Sequence, residues 1–265
     1  MLIAHFSDPH LRDRGKLYHG LVNSNSMFES AIRYLNNLDP QPDIVLVSGD
    51  IVDHGTEAEY ENAAVILDKI RQPLLIIPGN HDDREIFRVR LPHHAIPAAS
   101  GPFHFAVGDL GAVRILGLDV TVPGAHHGEM DDAACDWLET SLAEEPERPT
   151  IVMMHQPPVL SGISYIDTYR CLHGERLEQI ILRYPAVERI LCGHIHRFMQ
   201  RRFGGTLLMT APSTTTAIAL RLGANAEPGS FIEPPAMLLH QWQPGSGLLT
   251  HLVPIGSFPG PLPFF

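Results

Sequence analysis

Asp8 and His10, Asp50, Asn80, His155, and His194 with His196 stand in five short motifs: Asp8-Pro9-His10, Gly49-Asp50-Ile51-Val52-Asp53, Gly79-Asn80-His81-Asp82, His155-Gln156-Pro157-Pro158 and Gly193-His194-Ile195-His196. Carboxylate oxygen mixed with imidazole nitrogen suits Mn, Fe, Co or Zn, whereas Mg and Ca prefer oxygen throughout. Asp50 has two oxygens and can bridge two ions. Asn80 can add a neutral amide oxygen. Two divalent or trivalent ions roughly 4 Å apart form the clamp used to hydrolyse phosphoric esters. A lone His or Asp after a strand is most often structural; seven candidates in five motifs together carry the reading.

The elements must bring these motifs to one place. Each motif follows an apolar run of strand type, Leu2 to Phe6, Ile44 to Val47, Leu74 to Ile77, Ile151 to Met154 and Val187 to Leu191. All five would then lie at one sheet edge, the usual ligand edge of α/β folds. Period-two geometry points Asp8 and His10 the same way, and places His194 and His196 on one side of an extended segment. Gly49 permits a sharp turn beside a bulky ion.

Between the strands, Ser26 to Leu38 reads as a helix with Met27, Ala31, Tyr34, Leu35 and Leu38 on one face. Thr56 and Glu59 form a capping box for a helix to about Ile70. Arg84 to Ala99 reads as helix, then loop. Phe103 to Val107 and Val113 to Leu118 read as a hairpin around Gly108 to Gly111. Asp131 to Leu142 and Gly174 to Arg183 are further helices. Gly204 to Met209, Met237 to Gln243 and Leu248 to Val253 are β-like. The reading is a single α/β domain over 1–265, with a β-rich C-terminal part from about 204 and an exposed or oligomerisation arm, or a plain surface loop, near 221–235.

The set DxH, GDxxD, GNHD, HxPP and GHxH resembles the calcineurin-like metallophosphoesterase superfamily, and is most similar to its bacterial class III cyclic nucleotide phosphodiesterase and glycerophosphodiesterase group. The resemblance implies a four-layer αββα sandwich of two mixed β-sheets flanked by helices. It implies one ion held by Asp8, His10, Asp50 and His196, and a second by Asp50, Asn80, His155 and His194. It also implies that His81 faces the substrate, beside Asn80 and His194.

The residues themselves suit attack of a metal-bound hydroxide on phosphorus, with His81 supplying a proton to the leaving alkoxide. Asp53 or Asp82 would orient a histidine, and Ser161 to Tyr165 would wall the cleft. His5 is read as a core residue; His93, His94, His126 and His127 are read as loop residues, any of which could line the cleft. Protein phosphatases of the superfamily carry Arg after the second Asp of GDxxD and Glu after GNH, where this chain has His54 and Asp82. Loss of an arginine that would grip a phosphomonoester dianion favours small diesters. The alternatives are a phosphomonoesterase for nucleotides or phosphoproteins, and a non-catalytic metal-binding scaffold.

A formal charge of −11 over 265 residues argues against a stable nucleic-acid complex or an anionic membrane partner. No apolar run reaches the roughly 20 residues that span a bilayer. The first strand begins at once, leaving no room for a cleavable signal. Cys135, Cys171 and Cys192 lack zinc-finger or CxxC spacing and read as buried or idle thiols, with an intermolecular disulfide as the lesser alternative. A cytoplasmic enzyme, with a homo-oligomer allowed, is the expectation.

Overall fold

The computed structural model describes residues 1–96, 99–109 and 111–263. One five-stranded sheet orders Gly247–Pro254, Ala236–Gln243, Leu2–Phe6, Ile44–Ser48 and Leu74–Ile77, its last three strands parallel and its first two antiparallel. A six-stranded sheet orders Met199–Phe203, Thr206–Thr210, Val187–Cys192, Thr150–Met153, Arg114–Gly117 and Phe105–Val107; its four central strands are parallel and both edges antiparallel.

Apolar runs without alternation are expected of strands covered on both faces, and the core is divided accordingly. Ala4, Phe6, Val45 and Val47 pack against Phe28, Ile32, Tyr60 and Phe87 from helices Ser24–Leu35, Glu57–Leu67 and Arg84–Arg90. Their strand neighbours Ile3, Ile44 and Leu46 turn the other way, onto Ile115, Ile151, Met153 and Leu191 of the second sheet. That sheet buries Leu116, Val152 and Ile190 under helices Asp132–Glu144 and Gly174–Leu182. Helix, sheet, sheet and helix are thus the four layers expected.

Two helices end earlier than their periodicity suggests, at Leu35 and Leu67. The next residues tighten to bonds three apart, Leu38 N–H to Leu35 O at 3.1 Å and Ile70 N–H to Leu67 O at 2.9 Å, so Leu38 and Ile70 still reach the core. The capping box is present: Glu59 N–H donates to Thr56 Oγ1, and the Glu59 carboxylate accepts from Thr56 N–H. Helix Arg84–Arg90 is capped by Asp83 and gives way to loop, as expected; Pro97 and Ala98 of that stretch, with Leu110 of the expected turn, lie outside the described residues. In the 221–235 segment, Ser230–Phe231 pairs with Ala217–Ile218. All three cysteines are buried and free. No helix among the described residues is long and apolar enough to cross a membrane.

His5 and His240 are fully buried, with ring centroids 5.7 Å apart. His5 Nε2 meets Ser48 Oγ at 2.8 Å, and His240 Nδ1 meets Thr250 Oγ1 at 2.9 Å. Burial holds both rings neutral, His5 at about 3 and His240 well below the ordinary range. An unfolded histidine titrates near pH 6.5, so acidification below that value adds protons to the unfolded chain alone and destabilises the fold. His240→Leu should therefore lose less melting temperature than the wild type between pH 7 and pH 5 in thermal denaturation; an equal loss would contradict the assignment.

Candidate metal centre

The five strands that precede the motifs are parallel strands of the two sheets, three from one and two from the other, and their carboxyl ends meet. Asp8, His10, Asp50 and His196 converge there as one buried cluster, and Asp50, His155 and His194 as a second. Asp50 belongs to both. Its Oδ2 lies 3.7 Å from His10 Nε2 on one side and 3.3 Å from His155 Nε2 on the other. Asn80 Oδ1 is 3.2 Å from His155 Nε2. All seven expected donors are brought together.

The convergence does not come from an extended strand end. Asp8, His10, Asp50, His194 and His196 all have positive φ, between 44° and 68°, a left-handed region that non-glycine residues rarely occupy. Asp8 and His10 point together because the chain curls, and His194 and His196 lie on a bend, correcting the period-two expectation. Bonds to neighbouring loops hold the curl. Asp8 N–H donates to Gly49 O at 3.2 Å and His10 N–H to Asp50 O at 3.1 Å, while His194 N–H reaches the Asp8 carboxylate at 3.0 Å.

Gly49 makes the expected sharp turn, at φ 96°, and close packing adds a second reason for glycine in these motifs. A Cβ on Gly49 would lie 2.4 Å from His155 Nδ1, and one on Gly193 would lie 1.9 Å from Ser7 Oγ and 2.8 Å from Asp8 Oδ2. Each seats a neighbouring side chain of the centre.

The donor chemistry fits two cations. His155 Nδ1 faces the Ser48 carbonyl at 2.7 Å and His196 Nδ1 faces the Thr216 carbonyl at 2.9 Å; each must be the N–H end, which assigns the tautomer. The His155 Nε2 lone pair then points at Asp50 Oδ2 and Asn80 Oδ1, themselves acceptors. His196 Nε2 lies 3.0 Å from His10 Nε2 and 3.4 Å from Asp8 Oδ1. His194 Nε2 is buried with no hydrogen-bond partner among the described residues. Lone pairs crowded this way need positive charge between them.

The charges agree. Burial opposes ionisation of Asp8, yet His196 and His155 bring it down to about 2, and His155 and His81 likewise hold Asp50 well below the carboxylate range. Burial disfavours a proton on His155, but Asp50 and Asp8 outweigh it and hold this imidazole at about 9. A metal ion would take that proton's place. Burial keeps His194 at about 3, a free lone pair at neutral pH.

Asp53 orients histidines as expected: its Oδ1 lies 3.5 Å from His10 Nδ1, its carbonyl meets His81 Nδ1 at 2.7 Å, and Arg12 binds its Oδ2 at 2.6 Å. Asp82 does not. It accepts from Ile51 N–H at 3.0 Å, Gly79 N–H at 2.8 Å and the hydroxyl of buried Tyr60 at 2.9 Å, tying two motif loops to the core. Burial and then Asp50 push Asp82 up to about 7 despite these donors; a cation on Asp50 would cancel the second cause.

The centre opens into a cleft of about 390 Å³ that includes Asn80, His81, His194 and, among the other histidines, His126 and His19. Of the wall expected at Ser161 to Tyr165, Tyr165 lines the cleft, continued by Ile166 and Tyr169, whereas the Ser161 hydroxyl donates to the Asp167 carboxylate at 2.6 Å. His126 Nδ1 holds the Asn80 amide at 3.3 Å. Sequence reading missed the Ser213–Thr216 segment, although four hydroxyl residues in a row after a strand were a visible signal. Ser213 Oγ donates to the Asp8 carbonyl at 2.7 Å and Thr215 Oγ1 to the Pro9 carbonyl at 2.8 Å. Tyr18, His19 and Pro228–Ser230 of the cleft were also missed.

A family model described as calcineurin-like phosphoesterase matches residues 1–198. The chain belongs to the calcineurin-like phosphoesterase family. It is 34% identical to a glycerophosphodiester phosphodiesterase of Enterobacter lignolyticus, over 98% of this chain and 94% of that one. It is 30% identical to a 3′,5′-cyclic adenosine monophosphate phosphodiesterase of Escherichia coli K12, over 73% of this chain and 68% of that one. A dimetal phosphatase from Danio rerio shares the fold, with a TM-score of 0.65 at 11% identity over 97% of this chain and 99% of that one. The buried Asp/His cluster of this family member is compatible with a dinuclear metal site.

Gly193→Ala tests the packing of the centre. Its Cβ must displace Ser7 or Asp8, and overpacking of this kind costs about 1–3 kcal/mol. Urea denaturation should show a loss of that size together with fewer bound metal ions per chain; a variant as stable and as metal-rich as the wild type would contradict the packing argument.

Proposed function

We infer that the chain is a dinuclear metal-dependent phosphodiesterase acting on small diesters, glycerophosphodiesters or cyclic nucleotides, the substrates in the names of the two relatives above. The observation that carries this is Asp50, shared between two buried donor clusters at the floor of a cleft into which no lysine or arginine projects among the described residues. Asp8, His10, Asp50 and His196 would hold one ion, and Asp50, Asn80, His155 and His194 the other, with Mn, Fe, Co or Zn suited to the mixed donors. When bound, the ions supply Lewis acidity towards water and phosphoryl oxygen.

The chain's own residues do the rest. Asn80 is held by His126 and presents its amide oxygen towards the centre. His81 Nδ1 is fixed on the Asp53 carbonyl, which leaves Nε2 to face the substrate. Burial lowers the basicity of His81, but Asp50 and the Asp53 carbonyl outweigh it and raise its pKa, so a proton is held where the departing ester oxygen needs one. A diester carries one negative charge. Without a guanidinium in the cleft, the second charge of a monoester lacks a partner. The acidic surface, −11 overall, disfavours long polyanions, and we place the enzyme in the cytoplasm as a single domain, with the arm at 221–235 free to serve a homo-oligomer.

With Mn, Co or Zn added, bis(4-nitrophenyl) phosphate should be turned over at least about tenfold faster than 4-nitrophenyl phosphate. Preference for the monoester would transfer the reading to a phosphomonoesterase, and bound metal without hydrolysis of either would leave a scaffold. His81→Ala should lower kcat by about 10²-fold with metal content unchanged. Loss of metal in that variant would make His81 a ligand.

A further inference from the structure

Seven non-glycine residues among those described have positive φ, and five belong to the metal centre. Of the other two, His173 caps helix Gly174–Leu182. His19, at φ 48°, forms with Gly20, at φ 69°, the two left-handed central residues of a turn closed by Leu21 N–H on Tyr18 O at 3.0 Å. It sits at the tip of a tight hairpin, where Tyr18 N–H donates to Val22 O at 2.8 Å and Val22 N–H to Tyr18 O at 3.0 Å. The turn thereby fixes where the chain presents this side chain, at the rim of the cleft.

The imidazole of His19 is exposed and lines the cleft. Its ring packs on Tyr18 at 4.1 Å between centroids, and Tyr18 packs on His10 at 5.0 Å, so the hairpin is fixed to the floor of the centre. The other rim imidazoles are engaged, His81 by the Asp53 carbonyl and His126 by Asn80. The ring of His19 takes no hydrogen bond from the described residues.

We propose that His19 is a specificity-determining residue that hydrogen-bonds a hydroxyl on the ester arm of the substrate. A neutral imidazole offers one donor and one acceptor, as a hydroxyl does. No lysine or arginine among the described residues competes for that arm in the cleft. The hydroxyl can be that of a glycerol or of a ribose. The inference rests on the phosphodiesterase reading and adds the group that selects among diesters.

The test compares propyl 4-nitrophenyl phosphate with its 2,3-dihydroxypropyl counterpart and with a nucleoside 5′-(4-nitrophenyl) phosphate, on the metal-loaded enzyme. These share a leaving group and differ in the arm. In His19→Ala the ratio of kcat/KM for the hydroxylated over the propyl ester should fall about tenfold, mostly through KM. A fall for the dihydroxypropyl ester assigns a glycerol hydroxyl, and a fall for the nucleoside ester alone assigns a ribose hydroxyl. His19→Gly, which suits this backbone, should show the same fall with a melting temperature no lower than wild type. Ratios unchanged in both variants overturn the proposal. Failure of the wild type to hydrolyse any of the diesters overturns the phosphodiesterase reading, and this inference with it.

Discussion

Asp50 is a carboxylate buried between imidazoles whose lone pairs face it from both sides, and the rest of the fold answers that arrangement. Such a cluster cannot be dry, uncharged and stable at once. Either His155 takes a proton or a cation takes the space. The protein fixes the imidazole tautomers from outside, with the Ser48 and Thr216 carbonyls on the far nitrogens of His155 and His196. That commits the inner nitrogens to binding positive charge.

Holding five donors in left-handed backbone is costly, and the surrounding bonds show how the cost is met. The motif loops lean on one another: the Asp8 loop on Gly49 and Asp50, the His194 loop on the Asp8 carboxylate, and the Asp50 loop, through Ile51 N–H, on Asp82 of the Asn80 loop. Tyr60, packed in the core, joins the last of these to helix Glu57–Leu67 through its hydroxyl. The centre is therefore continuous with the core, and strain at the donors is carried by helix packing and by the two parallel strand sets.

Much of this was legible in the chain itself. The five motifs named all seven donors, and the uninterrupted apolar runs before them revealed strands covered on both faces. What stayed hidden depended on non-local contact. Nothing local says that Gly49 must admit the ring of His155, that Asp82 serves backbone rather than histidine, or that Ser213 and Thr215 clasp the Asp8 loop from more than two hundred residues away. The period-two argument reached the right convergence by the wrong geometry, because two residues apart in a left-handed curl also converge. Of the expected wall only its Tyr165 end lines the cleft, because Asp167 draws Ser161 into its own turn.

The central claim is that one carboxylate joins two ions. Anomalous diffraction from crystals grown with Mn or Zn, recorded at the metal edge, tests it most directly. Two peaks about 3.5–4 Å apart, one on either side of the Asp50 carboxylate, are predicted. A single peak, or two peaks of which neither contacts Asp50, would contradict the account.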